Sequence, residues 1–419
     1  MPIIIDFYYR YKTIINNLIF VGLVQVFGLL APLITYPYLV DVLGMELYGA
    51  VISAQVLVSY ATLVIEFGSN SICAKNISIY RDNRSKLSEI ISSVLITRFI
   101  FWIGCFFIYT SVVWFVPAYR EYLVLFLLSY LMTTNELLFP QFYFQGIEKM
   151  KTVSLLNILV KIVFIFLIFL FVKQKSDYLI VPVMYALGFA LAGIIALYII
   201  FKKHKIKFHL SSVKTQLDYF KECSPILATD LVCTIKDKFN YMLVGMYMGM
   251  SNVVVYDLGF KLMGLASKPS AIITTVLLPR FAQNRNVRKL QHVLIFVFLM
   301  SVSMVVVMNL FLGPIVTFFL HQEVDLLPIR LFSIVPIFLS PSVIIANNFF
   351  IGFGYNRFMF YSIVITTLIY LGLLVIVWVT GYLHSLYSFI FLAIISYFVE
   401  FVYRLYVFQI KKKDYYSSL

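Results

Sequence analysis

The sequence predicts an all-α polytopic membrane protein, with twelve transmembrane helices in two six-helix lobes around a central cavity. Three observations predict it. Of 419 residues, 62% are hydrophobic and only 12% charged, whereas an average soluble domain has about a quarter charged residues. No soluble fold of this length hides so much apolar surface. Runs of roughly 20 apolar residues, the length of a bilayer-crossing helix, recur from end to end. The second half also repeats the first.

Apolar runs set against polar breaks give segments at 14–39, 47–67, 89–116, 121–144, 152–172, 178–201, 217–247, 253–280, 290–320, 326–351, 357–380 and 384–409. They are called spans one to twelve below. Spans one, four, seven and ten are interrupted by Pro, Gly or charges, which a membrane tolerates where freed backbone faces protein or water. The breaks alternate in charge. One set carries Lys75, Arg81, Arg84 and Lys86, then Lys149 and Lys151, then Lys202, Lys203, Lys205 and Lys207, besides Arg10, Lys12, Arg285, Arg288, Lys289, Arg357 and Lys411 to Lys413. The other offers Arg120, Lys173 and Lys175 beside six carboxylates. Cations collect on the cytoplasmic side, so both termini are expected there. The same bias explains a net charge of +14 without nucleic acid.

The outer loops are short, which leaves no room for an extracytoplasmic domain. The four cysteines lack metal-ligand spacing and read as small core residues. No cleavable signal peptide is visible. The basic stretch FKKHKIKFHLSSVK divides the chain into a lobe at 1–205, a linker at 206–216 and a lobe at 217–419.

The repeat has an offset of about 205 residues. FYFQGIEKM after span four pairs with FFIGFGYNR after span ten, aligning Gly146 with Gly354. RSKLSEIISSVL opens span three and RKLQHVLIFVFL opens span nine. LGMELYG is matched loosely by MGMSNVVVY. Six spans per half give both halves the same orientation, a parallel repeat with substrate expected between them near the midplane. FPQFYFQGIEKMK is then a tight cytoplasmic turn, its glycine expected to allow the reversal.

FYFQGIEKMK, APLITYPYLVDVLGMELYG and the doubled six-span pattern resemble the O-antigen flippase (Wzx, polysaccharide transporter) family. That family belongs to the multidrug/oligosaccharidyl-lipid/polysaccharide exporter superfamily. The resemblance covers nearly the whole chain. It implies a MATE-like fold and movement of an undecaprenyl-diphosphate-linked oligosaccharide across the bacterial inner membrane through a cavity that alternates its opening. A polysaccharide polymerase and a chain-length regulator are candidate partners, the protein itself is expected to be a monomer, and no cofactor is implied.

Ionisable residues inside spans cost a few kcal/mol or more and usually face the bundle interior or water. Arg98, Lys161, Lys236, Lys238, Lys261 and Lys268 are the candidate cations for a diphosphate, which would otherwise cross low dielectric uncompensated. Glu66, Glu136, Asp230, Asp237 and Asp257 are candidates for ion coupling or charge balance. Asp257 and Lys261 stand at i,i+4 and are expected to pair, as are Glu400 and Arg404. Arg98, Lys161 and Lys268 have no carboxylate nearby in sequence. Ser154, Asn157 and Lys161 share a face, and Asp230, Thr234, Asp237 and Tyr241 form a stripe on span seven. Arg330, near the outer end of its span, is expected to snorkel to the interface rather than serve the cavity. Tyr36, Tyr60 and Tyr241 are the aromatics set apart for sugar stacking.

A cation-coupled multidrug antiporter would favour acidic residues, against the excess of cations here. A membrane-embedded polysaccharide polymerase or glycosyltransferase needs catalytic carboxylates or histidines at one face. The five histidines are scattered. No nucleotide-binding loop is present, so transport would draw on an ion gradient, the membrane potential or removal of product.

Overall fold

The computed structural model describes the backbone of residues 2–417 and the side chains of residues 28–413, positions 29, 30, 32, 279 and 280 excepted. The Arg10 and Lys12 side chains of the charge pattern lie outside the described residues. Among the described residues there is helix and turn and no strand. Nine helices there are long and apolar enough to cross a membrane, beginning with Leu33–Ile79 and ending with Leu386–Lys413. Two further long helices, Val213–Met248 and Met250–Asn284, carry the charges of spans seven and eight. Each of the twelve expected segments has a helical counterpart at its place.

Pro2–Glu66 is one helical run interrupted at Gly44, whose φ of 77° and ψ of 165° leave the helix region. Gly249 has the same conformation, φ 86° and ψ 162°, between Val213–Met248 and Met250–Asn284. Only glycine takes that backbone without a Cβ penalty. Asn83 caps Arg84–Phe115 by accepting from the Lys86 N–H at 3.1 Å, and Asn286 caps Val287–Leu310 by accepting from Lys289 at 2.9 Å. A side-chain oxygen there satisfies one orphan donor of each helix start. The repeat is therefore written into backbone conformation as well as residue type.

The turns after spans four and ten also match, bond for bond. Ile147 N–H donates to Tyr143 O, Glu148 to Gln145 and Lys149 to Phe144; Phe353 donates to Phe349, Gly354 to Ile351 and Tyr355 to Phe350. This pairs Gly354 with Glu148, which has φ 60°, and corrects the expected pairing with Gly146 by two residues. Gly146 lies inside the helix Gln141–Gly146. Its role is close approach, since a Cβ there would meet Ala74 O and Ile77 Cγ2 at 2.6 Å.

Interruptions fall partly where expected. Span four is broken into Leu123–Tyr130, Leu131–Thr133, Thr134–Leu138 and, past Phe139–Pro140, Gln141–Gly146. Span ten runs as Leu327–Phe332, Pro336–Ile344 and the π-helical Ile345–Ile351. Span seven stays continuous through Pro225. Span two ends where expected, at Phe67 (φ 43°) and Gly68 (φ 75°), but helix resumes beyond it as Ser69–Ile79.

The chain divides into two compact units, residues 1–231 and 232–419, with the boundary inside Val213–Met248. Each has its own core. In the first, Phe67, Ile77, Ile90, Phe142, Phe144 and Cys223 are buried together. In the second, Phe281, Leu290, Ile344, Phe349, Phe350 and Phe408 do the same. Elsewhere Phe107, Phe115, Phe166, Trp378 and Val379 are exposed, as befits surface facing hydrocarbon, where apolar side chains have no water to escape.

Candidate functional site: two buried charge clusters

In the first unit the break that ends span two organises the charges. Ser69 opens Ser69–Ile79, its hydroxyl donating to Glu66 O at 2.6 Å. That same oxygen accepts from Arg98 Nε at 3.1 Å and Nη2 at 2.7 Å. Nη2 also donates to Asn70 Oδ1 at 3.0 Å and Nη1 to Glu136 O at 2.6 Å, next to the break in span four. The Glu136 carboxylate stands 3.9 Å from Nη1 and accepts from Asn135 at 2.7 Å. The guanidinium lies over the Phe142 ring at 5.3 Å and is fully buried. Arg98 therefore has a carboxylate, supplied across 38 residues of chain, and braces two interrupted spans. Glu66 receives the Asn70 N–H and lies in the field of Arg98, Glu136 and Asp230. Lys161 is half-buried, its Nζ so close to Gly28 that a Cβ there would lie 2.8 Å away.

The second unit holds a second network. Lys236 Nζ pairs with Glu400 and lies 3.6 Å from Asp237. Glu400 pairs with Arg404 at 2.5 Å, the i,i+4 contact their spacing predicts. Arg404 donates to the Ser362 hydroxyl at 3.0 Å and the Ser342 hydroxyl at 3.1 Å. Tyr397 donates to Asp237 at 3.0 Å while its ring lies 4.7 Å from the Lys236 ammonium. Two cations and two anions cancel, and a buried set of this kind needs each partner to offset desolvation.

Asp257 accepts from Lys261 at 2.5 Å and from Tyr241 at 3.1 Å. Asp257 is buried and Lys261 half-exposed. Asn240 uses both ends of its amide, donating to Tyr256 and Phe389 O and accepting from Tyr370 at 2.7 Å. Lys238 is half-buried and Lys268 exposed, and neither forms an ion pair among the described residues.

Tyr36 is buried edge-on against Tyr48, and Tyr241 is buried under Asp257, so neither presents a face for stacking. Tyr60 lines an apolar cleft of about 190 Å³ with Leu57, Ala61, Val64, Cys105 and Tyr109. Arg330 is exposed, as snorkelling requires. Sequence reasoning missed Ser69, Asn70, Ser342, Ser362 and Tyr397. A buried arginine demands acceptors, but nothing in the spacing says which serines the fold will bring to it.

Interrupted apolar helices with charges paired inside each unit define a polytopic helical membrane protein. Residues 14–285 match the family described as polysaccharide biosynthesis protein, well over half of the chain, and the chain belongs to that family. An Escherichia coli K12 protein named "Putative O-antigen transporter" is 32% identical over 185 residues, 44% of this chain and 45% of the relative, so the match spans under half of that relative's length. A Shigella dysenteriae protein of the same name is 24% identical over 74% of this chain and 79% of its own. The fold is that of the multidrug/oligosaccharidyl-lipid/polysaccharide exporter superfamily. The lipid II flippase MurJ in an inward closed conformation superposes with TM-score 0.74 at 14% identity, over 94% of this chain and 87% of that one. An inward-facing MATE multidrug transporter does so with 0.71 at 16% identity, over 91% and 96%.

Proposed function

We propose that the protein flips an undecaprenyl-diphosphate-linked oligosaccharide from the cytoplasmic to the outer leaflet of the bacterial inner membrane by alternating access. Both termini face the cytoplasm, and the basic segment 206–216 joins lobes at 1–205 and 217–419. The protein acts as a monomer without a cofactor, ahead of a polymerase and chain-length regulator. The relatives named as O-antigen transporters support the substrate class.

The observation that carries the reading is the pattern of pairing. Arg98, Lys236 and Arg404 are neutralised in packed protein. Lys238 and Lys268 are left without an ion pair among the described residues, and Lys261 keeps a third of its side chain exposed. Unpaired cations in a membrane protein are costly unless they serve a ligand or reach water. Lys161, Lys238, Lys261 and Lys268 are assigned to meet the diphosphate. Arg98 and Lys236 each hold the frame of their own unit, and Glu66, Glu136, Asp230, Asp237 and Asp257 serve charge balance or ion coupling.

Reconstituted protein tests this with a fluorescent undecaprenyl-diphosphate oligosaccharide and a cationic dye, with and without a proton or sodium gradient. Movement of the lipid-linked sugar alone upholds the proposal, and gradient dependence identifies coupling. Movement of the dye alone makes the protein a multidrug antiporter. Polymerised or newly linked sugar without flipping makes it an enzyme.

A further inference from the structure

The turn after span four gathers cations that the repeat does not require. The buried Tyr143 hydroxyl lies 2.9 Å from Nδ1 of His204, and Lys149 Nζ lies 2.9 Å from Nε2. His204 ends the π-helical Ile199–Lys203, its own N–H donating to Ile199 O at 2.9 Å. An ammonium can only donate, so Nε2 accepts from Lys149 and Nδ1 carries the ring proton toward the Tyr143 oxygen. The imidazole in this arrangement is neutral. Burial and the charges of Lys149 and Lys203 push His204 below the ordinary histidine range, in agreement.

Lys149 is thus held by a neutral partner. Its orientation is fixed in advance, its charge is uncancelled, and two of its N–H bonds remain free of the imidazole. Arg84, at the start of Arg84–Phe115, is the charged group bearing on Tyr143. Arg84, Lys149 and Lys203 are all exposed, and none forms an ion pair among the described residues. Glu148, exposed beside them, is the carboxylate of the turn.

The second unit shows that the fold can do without this set. In the bond-for-bond register of the two turns, Tyr143 corresponds to Phe349 and Lys149 to Tyr355. Phe349 is fully buried against Tyr355 and Phe408. The same backbone closes there with aromatic packing, so the imidazole-linked cations are an addition to the turn rather than a condition of it.

We propose that Arg84, Lys149, Lys203 and His204 form a docking station for a phosphate or diphosphate headgroup at this end of the first unit, where a lipid-linked diphosphate is captured before translocation. Naming that source rests on the proposed function; the anion chemistry does not. An anionic phospholipid headgroup offers the same oxygens and is the competing source.

The test uses full-length protein in phosphatidylcholine nanodiscs titrated with farnesyl diphosphate and with inorganic pyrophosphate. Parallel discs contain a minor fraction of phosphatidylglycerol. The triple change Arg84→Gln, Lys149→Gln and Lys203→Gln is expected to weaken farnesyl diphosphate binding about tenfold or more, the worth of lost charge-assisted contacts. Lys149→Arg should retain most of the affinity, and Arg357→Gln, at the matching end of the second unit, should change it little. Competition by phosphatidylglycerol assigns the station to phospholipid headgroups, and its absence assigns it to the lipid-linked diphosphate. Equal affinity of the triple variant and the wild type overturns the proposal, as does an equal loss in Arg357→Gln. Flipping is measured separately. Wild-type flipping of the lipid-linked sugar with diphosphate binding indifferent to the triple change removes the station and leaves the proposed function standing. Triple-sensitive binding without such flipping does the reverse.

Discussion

Arg98 and Arg404 show why a charge in a span is ambiguous when read one residue at a time. Both are buried and held by several partners, Arg98 by the Ser69 hydroxyl, Asn70 and Glu136 O, and Arg404 by two serine hydroxyls and Glu400. Arg404 and Glu400 were legible as a pair because a helix brings i and i+4 together. Glu136, Ser69 and Asn70 were not, because span three carries no record of what spans two and four present to it. Removing one partner of such a set strands the others in low dielectric, at about 3–5 kcal/mol. Arg98→Ala is therefore expected to lower the unfolding temperature in detergent and abolish flipping together. Arg98→Lys should rescue little, because an ammonium cannot reach Ser69, Asn70 and Glu136 O at once. Lys268→Ala should leave the unfolding temperature unchanged and slow flipping. A stable, inactive Arg98→Ala protein would return Arg98 to the list of substrate ligands.

Among the elements, helix positions were readable from apolar runs, and the turn after span four from its glycine and lysines. What the glycine does was not readable. Gly146 is helical and exists for the approach of Ala74 and Ile77, while Glu148 occupies the left-handed position that Gly354 fills in the second unit. A sequence shows that a glycine is present but not whether it serves a dihedral angle or a contact. Gly146→Ala is expected to destabilise by pushing Ser69–Ile79 away, since the atoms it meets include a backbone carbonyl. Glu148→Gly should stabilise by about 1 kcal/mol through relief of left-handed strain. Thermal unfolding of both variants checks this, and a stable Gly146→Ala with a weakened Glu148→Gly would invert the assignment. The break at Phe67-Gly68 is a related case. Glu66 and Ser69 to Ser71 mark the end of span two in the sequence, but the resumption of helix at Ser69–Ile79 becomes intelligible only beside Arg98, which takes up the Ser69 and Asn70 side chains.

For the molecule as a whole, the boundary between compact units lies within Val213–Met248. Tyr219, Phe220, Cys223 and Leu227 belong to the core of the first unit. A protease site inserted at 210–212 should accordingly yield fragments that co-purify after cleavage, because residues 213–231 stay packed in that core. Fragments that separate on a column would mean that this packing is too weak to hold them. Repeated turn and helix-start motifs made two similar halves legible, and composition and run length alone determined that the chain is a helical membrane protein of about twelve spans. Those properties are set by solvent: hydrocarbon demands apolar length and internal backbone bonding whatever the neighbours are. The family resemblance was legible too, in turn motifs that are local. Tertiary structure alone decided which charges are paired with one another. Pairing is a matter of distance in space, and partners such as Lys236 and Glu400 are separated by 164 positions along the chain.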